Sequence, residues 1–395
     1  MDKIDEILTR GVENIIPSKE ELEKLLRSGK KLNIYYGIDP TNTKLHIGYA
    51  VHLRKLQQFV NDGHNVTLLI GDYTALVGDT SDKESERPIL TYEEIKENLK
   101  SYRQQASKIL DFSKIHLRYN GEWLSKLEFK DVLKLCQYFS LNDFISRELI
   151  RNRLTKGDRV RLDEVLYPIM QGYDSLHLDT DLQLGAADQT FNMQAGRILL
   201  KSTQNKESFI LVNSYLIGTD GRKMSKTGSN AIWIEDPPED MFGKVMSVRD
   251  DLIIQYFTLA TSLPLEEIVQ IEAELKSGKN PMETKKTLAH QIVKELHGSH
   301  AAEQAQQHFE NIFQKQDMTV ADVPAFKISD LSTNPIAAEA LLVETNLAPS
   351  KTEAKRLIKD GAVELGGEVV EANEGIEVSP GDLIRVGKKR FLRFI

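Results

Sequence analysis

Apolar positions along the first 230 residues alternate between two spacings. Residues 32–38 (Leu32-Asn33-Ile34-Tyr35-Tyr36-Gly37-Ile38) form a short, mostly apolar run, the pattern of a buried strand. Asp39-Pro40-Thr41 breaks it, and from Leu45 to Gly63 apolar Val51, Leu56, Phe59 and Val60 recur at helical spacing. Val66-Thr67-Leu68-Leu69-Ile70-Gly71 is a second strand-like run. Strand, helix and strand in close succession make a βαβ unit with a parallel sheet. Ligands bind such sheets at the carboxyl ends of the strands, where Gly37, Asp39, Gly71 and Asp72 fall.

The rest of the chain is predicted to run as follows. Residues 5–28 read as two short helices, with Ser18 and Glu21 spaced as a capping box. A helix over 91–111 precedes a strand near Ile115–Tyr119. Residues 124–156 read as helical with wide apolar faces (Leu127, Val132, Leu133, Leu135, Phe139, Phe144, Ile145), suited equally to core or to a subunit interface. A helix from Leu162 to Ser175, a small-residue turn at Gly185–Gln189, a helix through Leu200 and a strand at Phe209–Val212 complete a domain that ends before Pro237-Pro238. The expected layout is α/β: a Rossmann-like parallel-sheet domain over 1–236, a helical domain over 237–320, a linker over 321–334 and a small α+β module over 335–395. Asn280-Pro281 and Gly298 punctuate the helical part. In the last module Ser350 and Glu353 open a helix with Ala354, Leu357 and Ile358 inward, and Gly361 stops it.

Composition narrows this picture little. With 395 residues, 28% charged and 40% hydrophobic, the chain is long enough for two or three cores. A net charge of −8 means that any RNA contact must come from local basic patches. The single cysteine, Cys136, is expected buried, with no disulfide and no cysteine-held metal. The start, Met1-Asp2-Lys3-Ile4-Asp5, is unlike a secretory leader, and no apolar run approaches the ~20 residues of a membrane span. A cytoplasmic protein is the expectation. Lack of a GxGxxG fingerprint disfavours a nicotinamide or flavin enzyme.

Three stretches carry possible chemistry. In Gly221-Arg222-Lys223-Met224-Ser225-Lys226-Thr227-Gly228, two lysines and two hydroxyls between glycines suit a loop closing over a polyphosphate, or simply a solvated turn. Tyr167, Gln171 and Asp174 share one helical face, either a solvent stripe or a pocket wall. Lys351, Lys355, Arg356 and Lys359 lie on the outer face of the last module's helix, and Lys388-Lys389-Arg390 begin a basic, aromatic-interleaved end. That combination fits either a solvated surface or an RNA footprint read by shape and phosphate.

Taken in order, these stretches resemble the bacterial-type tyrosyl-tRNA synthetases, class I enzymes with a C-terminal S4 RNA-binding domain. Tyr35 to Thr41 with His46-Ile47-Gly48 is similar to the first family signature, and Lys223 to Thr227 to the second. Between them, Gly78-Asp79 with Ser85-Glu86-Arg87, Asn120 with Trp123, Tyr167-x3-Gln171-x2-Asp174 and Asp188-Gln189 fall in the family's order. The resemblance implies a tyrosine–tRNA ligase that acts on L-tyrosine, ATP with Mg²⁺, and tRNA(Tyr), working as a homodimer. By the same resemblance Tyr35 and Asp174 hold the tyrosine hydroxyl; Asp79, Tyr167 and Gln171 its ammonium; and Gln189 lies by the carboxylate. Gly37, Asp39, Gly48 and Asp188 frame the nucleoside, while Thr41, His46, Lys223, Lys226 and Thr227 serve the phosphates. No protein residue is expected to ligate a metal. Tyr49, Thr80 and Ala186-Ala187 depart from the family pattern. A tryptophanyl enzyme and a non-catalytic RNA-binding protein on a synthetase body are the rival readings; an acidic Asp174 favours a phenol, and the intact lysines favour catalysis.

Overall fold

The computed structural model describes residues 2–79, 90–224, 230–313, 324–371, 375–387 and 390–395. The chain forms two compact units, residues 1–314 and 315–395.

The first unit is built on a six-stranded sheet. Its strands are β1 (Val12–Ile16), β2 (Asn33–Ile38), β3 (Asn65–Ile70), β4 (His116–Tyr119), β5 (Leu182–Ala186) and β6 (Phe209–Asn213), in the order β1-β6-β5-β2-β3-β4. Strands β2 to β6 run parallel, and β1 closes one edge antiparallel to β6. The chain leaves β2 through helix α1 (Ile47–Asn61) to reach β3 on one side, and later returns to β5 on the other. Strand order therefore reverses at the β2/β5 boundary, the place where an open parallel sheet leaves a crevice at its carboxyl edge.

Two of these strands were hidden in the sequence. Glu13 and Asn14 break the apolar pattern of β1, whose partner β6 lies some 200 residues away in sequence. Gln183, Gly185 and Ala186 make β5 look like part of a turn, yet every residue of it is buried.

Helices α2 (Leu162–His177) and α3 (Thr190–Gln204) pack with little between them. A β-carbon at Gly172 would lie 3.1 Å from the Ala195 carbonyl carbon. Glycine there lets the two backbones approach.

The helices from Pro238 onward are those expected: Asn280 caps Pro281–His297 by accepting from the Met282 amide at 3.0 Å, and Gly298 ends it at φ +93°. They do not form a separate core. Met241, Phe242, Tyr256, Phe257, Leu288 and Ile292 join the same buried cluster as Leu53, Phe59 and Leu182 of the sheet layer. Arg10 reinforces that union, donating to the carbonyls of Thr258 in the last turn of helix 253–260 and of Thr261 and Leu263 just beyond it, at 2.7–2.9 Å.

The insert over 121–156 is four short helices, and only part of its apolar surface is core. Leu135, Phe144 and Ile150 are buried, but Phe129 is 77% exposed and Leu133, Tyr138, Leu141, Leu154 and Leu162 are also exposed. Cys136 is half-buried rather than fully enclosed.

In the second unit, Lys351–Lys359 and Ala338–Glu344 pack on a five-stranded sheet around Leu341, Leu357, Ile384 and Phe394. Ala325–Phe326, which fall in the expected linker, pair in parallel with Arg393–Phe394 as an edge strand. Lys388 and Lys389 lie outside the described residues.

Candidate active site

A cavity of about 640 Å³ opens at the carboxyl edge of β2, β3, β5 and β6. Of the residues expected at the site, Tyr35, Gly37, Asp39, Thr41, His46, Gly48, Asp79, Tyr167, Gln171, Asp174, Asp188, Gln189 and Lys223 all line it. Lys226 and Thr227 of the lysine loop, Thr80, and Ser85-Glu86-Arg87 lie outside the described residues.

One end of the cavity is deep and polar. Asp174 on α2 is only 2% exposed. Its carboxyl accepts from Trp123 Nε1 at 2.7 Å and from Asn120 Nδ2 at 3.1 Å. Burial pushes its pKa up to about 8, against the opposing pull of those two donors. Tyr35, on β2, is also buried. Its hydroxyl lies 2.9 Å from Ser175 Oγ and donates to Gln183 Oε1 at 3.2 Å. Ser175 and Gln183 carried no readable signal: Ser175 is one of several polar residues along α2 and Gln183 the one polar side chain of β5, and their pairing is recognisable only once the two elements are side by side.

A second corner gathers carboxylates. Asp39 accepts from Tyr167 Oη at 2.8 Å and from Thr74 Oγ1 at 2.8 Å. Tyr167, expected beside Asp79, is thus bonded to Asp39, which was assigned to the nucleoside side. A β-carbon at Gly71 would stand 2.0 Å from Asp39 Oδ1, so only glycine leaves room for this arrangement. Asp79 accepts from Gln189 Nε2 at 2.5 Å and from Asn192 Nδ2 at 3.5 Å. Gln171 completes this wall. Carboxylates backed by neutral donors suit an ammonium ligand.

The other end is more open. His46 stands just before α1, whose N-terminal dipole favours an anion. A β-carbon at Gly48 would meet His46 Nδ1 at 2.8 Å, so the glycine keeps the imidazole in place. Two backbone bonds, Ile47 N to Ile232 O and Ile234 N to Leu45 O, both 2.9 Å, strap the approach to α1 onto the segment that follows the lysine loop. This strap brings together two stretches more than 170 residues apart in the chain. Lys223 Nζ donates to Asp188 Oδ2 at 3.0 Å and sits 4.5 Å over the Tyr215 ring. Tyr215 Oη in turn accepts from the Asp188 amide at 2.9 Å. Tyr49 packs its ring 4.6 Å from that of His46. Tyr36 stacks on His52 at 4.7 Å, and burial pushes the His52 pKa down to about 4. Among the described residues no group of three His, Cys, Asp or Glu is placed to hold a metal ion.

Residues 27–314 match the sequence profile of the tRNA synthetases class I (W and Y), and residues 339–384 that of the S4 domain. The chain belongs to this synthetase family. It is 40% identical over 390 residues to the tyrosine–tRNA ligase of Thermotoga maritima, covering 98% of this chain and 96% of that one. It is also 40% identical over 387 residues to tyrosine–tRNA ligase 2 of Vibrio cholerae, with the same coverage. The fold is similar to a C-terminally truncated mitochondrial tyrosyl-tRNA synthetase of Aspergillus nidulans (TM-score 0.67, 23% identity, 79% of this chain and 94% of that one). It is likewise similar to a tyrosyl-tRNA synthetase of Archaeoglobus fulgidus complexed with L-tyrosine (TM-score 0.61, 24% identity, 78% and 100%).

In the S4 portion of this synthetase, Lys351, Lys355, Arg356 and Lys359 all project into solvent. Arg356 is engaged on its own helix, by Glu353 at 2.7 Å and Asp360 at 3.2 Å. Arg390 is exposed, and its guanidinium donates to the Leu347 carbonyl. The lysines therefore present the free charge of this face more than the arginines do.

Proposed function

We infer that the chain is a tyrosine–tRNA ligase, joining L-tyrosine to ATP as tyrosyl-adenylate with release of pyrophosphate and then passing tyrosine to the 3′ end of tRNA(Tyr). The observation that carries this reading is one cavity with a buried Asp174–Tyr35 end and a His46–Lys223 end. The first is shaped for a phenol, the second for phosphates, and the Asp39–Asp79–Gln171 wall between them suits an α-ammonium. A tryptophan indole would bring a single N–H donor and no oxygen to accept from Asp174, whose raised pKa favours the protonated form.

The tyrosine carboxylate attacks the α-phosphate, so no protein nucleophile is required; the protein's work is positioning and stabilising charge. Lys223 and Lys226 neutralise the oxygens on which negative charge grows, with His46, Thr41 and Thr227 donating hydrogen bonds. Asp188 and Gly37 frame the ribose, and Gly48 leaves space beside His46. ATP enters with Mg²⁺, which the phosphates and water would hold.

The exposed apolar side chains of Phe129, Leu133, Tyr138 and Leu141 support a homodimer through this insert. Sedimentation should show a dimer at micromolar concentration, reduced to monomer by Phe129→Glu with Leu133→Glu. The S4 lysines support tRNA binding, and work in translation implies the cytoplasm; no helix among the described residues is long and apolar enough to cross a membrane.

The test of the reaction is ATP–pyrophosphate exchange with tyrosine, phenylalanine and tryptophan in turn. Tyrosine-dependent exchange is expected. Exchange driven by tryptophan instead would overturn the amino-acid assignment, and none with any amino acid would leave an RNA-binding protein on a synthetase body.

A further inference from the structure

Behind the deep end of the cavity three oxygens form a closed triangle, of which only Tyr35 belongs to the expected site. The Tyr35 hydroxyl lies 2.9 Å from Ser175 Oγ and 3.2 Å from Gln183 Oε1, and Ser175 Oγ lies 2.8 Å from that same Oε1. All three residues are buried. The Gln183 amide is held one way round, because its Nε2 donates to the Met193 carbonyl at 2.9 Å. Turned over, its oxygen would face another acceptor. Gly196 on α3 makes the space: a β-carbon there would stand 2.4 Å from Ser175 Oγ and 3.0 Å from Gln183 Nε2.

The triangle thus contains two hydroxyl protons and one oxygen, Gln183 Oε1, that carries none. If Ser175 donates to Gln183, the Tyr35 proton goes to Ser175 or to Gln183. If Ser175 donates to Tyr35, the Tyr35 proton goes to Gln183. Each of these arrangements keeps it inside the triangle; turning it toward the cavity while Ser175 donates to Tyr35 would leave Gln183 Oε1 buried with no donor from either hydroxyl. Turning it toward the cavity while Ser175 donates to Gln183 would leave two hydroxyl oxygens 2.9 Å apart with no proton between them.

We propose that Gln183 and Ser175 are positioning residues that fix Tyr35 as a hydrogen-bond acceptor toward the cavity, so that the ligand's ring substituent must bring the proton. This deepens the tyrosine reading and rests on it. A phenol O–H meets the requirement. Phenylalanine leaves the Tyr35 lone pair buried and unpaired, so discrimination is built into the wall behind the pocket as well as into the residues that touch the ligand.

The test is exchange with tyrosine and with phenylalanine for the unmodified protein, Ser175→Ala, Gln183→Leu, Tyr35→Phe and the Tyr35→Phe/Gln183→Leu double variant. The tyrosine-to-phenylalanine ratio of kcat/KM should fall about tenfold in Gln183→Leu and about threefold in Ser175→Ala, the scale of one lost or misdirected hydrogen bond. The double variant should show the ratio of Tyr35→Phe alone, because without the Tyr35 oxygen Gln183 has nothing to orient. Equal losses for both amino acids, leaving the ratio unmoved, would overturn the proposal and mark a purely structural role. So would a double variant in which the two effects on the ratio multiply. Should Gln183→Leu fail to fold, Ser175→Ala, which removes a single oxygen, carries the same cycle with Tyr35→Phe. Absence of tyrosine-dependent exchange in the unmodified protein is a separate result, and refutes the tyrosine reading itself.

Discussion

The two ends of the cavity are built on opposite principles. At the amino-acid end Asp174, Ser175, Gln183 and Asn120 are all buried, and each is bonded to a partner on another element. At the end proposed for the nucleotide, Lys223 has 47% of its side chain exposed and leans on Asp188 and Tyr215 from the loop side. A buried, fully partnered wall discriminates because nothing in it can move to rescue a wrong ligand. An exposed lysine contributes little to ground-state binding, yet contributes strongly where charge develops. Selectivity and rate are therefore expected to separate along the length of one pocket.

The largest effect should come from the open end. Lys223→Ala, and likewise Lys226→Ala, should slow adenylate formation by about 10²–10³-fold, the usual scale for removing one donor to a developing anion. Tyrosine affinity should change by less than about twofold, since transition-state charge is what these groups serve. Single-turnover kinetics beside equilibrium tyrosine binding would separate the two quantities. A parallel loss of tyrosine affinity would erase the contrast between the ends, and show Lys223 holding the pocket together through Asp188.

At the closed end the loss should appear as selectivity. Asp174→Ala should lower kcat/KM for tyrosine by about 10²-fold, because it removes a carboxyl and leaves Trp123 Nε1 and Asn120 Nδ2 without their acceptor. Tyr35→Phe, which loses one oxygen, should cost nearer tenfold. Efficiency with phenylalanine should rise in Tyr35→Phe, which removes the oxygen that phenylalanine leaves unpaired, and hardly move in Asp174→Ala. Two variants with unchanged ratios would mean the hydroxyl is read elsewhere in the cavity.

How much of this contrast could be read from residues alone follows from the same physics. Asp39, His46 and Lys223 stand at breaks in the chain, within two residues of a glycine or proline, where function leaves a local mark in the sequence. Asp174, Tyr167 and Gln171 were legible as one helical face. Ser175 and Gln183 were not, because their meaning arises only when α2, α3 and β5 meet across Gly196. The edge strand β1 escaped for a related reason: its pairing with β6 is long-range, and the local pattern is mixed. The boundary at 236 reads clearly as Pro237-Pro238, but proline marks a chain break and does not report that Met241, Phe242 and Ile292 share the sheet's core.

Both ends of the cavity lie within residues 1–314, which sharpens the comparison further. Removing residues 315–395 should leave exchange and the tyrosine-to-phenylalanine ratio unchanged, while tRNA charging falls by about tenfold at moderate salt. The cut belongs at 315 rather than 335, because Ala325–Phe326 pair with the last strand and a later cut would strand them. The defect should be largest at low ionic strength and shrink as salt rises if Lys351, Lys355 and Lys359 contact phosphates. Undiminished charging by the shortened protein would remove the S4 module from tRNA binding.

The smallest effect tests whether burial tunes the closed end. Asp174 has a folded pKa of about 8, against roughly 3.9 in an unfolded chain. Between those values the folded protein holds a proton that the unfolded chain has released, so stability is greatest below the lower value and falls as pH rises through the upper one. Asp174→Asn carries no titrating group, and its stability relative to the unmodified protein should improve between pH 5 and pH 8.5. The change should exceed ~1 kcal/mol, given that one pKa unit corresponds to about 1.4 kcal/mol. The constant penalty of placing an amide against the Trp123 and Asn120 donors does not alter that slope. Trp123 and Trp233, the only tryptophans, both lie in residues 1–314, so urea unfolding followed by tryptophan fluorescence reports on the unit that holds the pocket. A difference between the two proteins that stays flat across this range would mean that Asp174 is ionised throughout, held by Trp123 and Asn120 against burial. The closed end would then recognise the phenol as a charged acceptor.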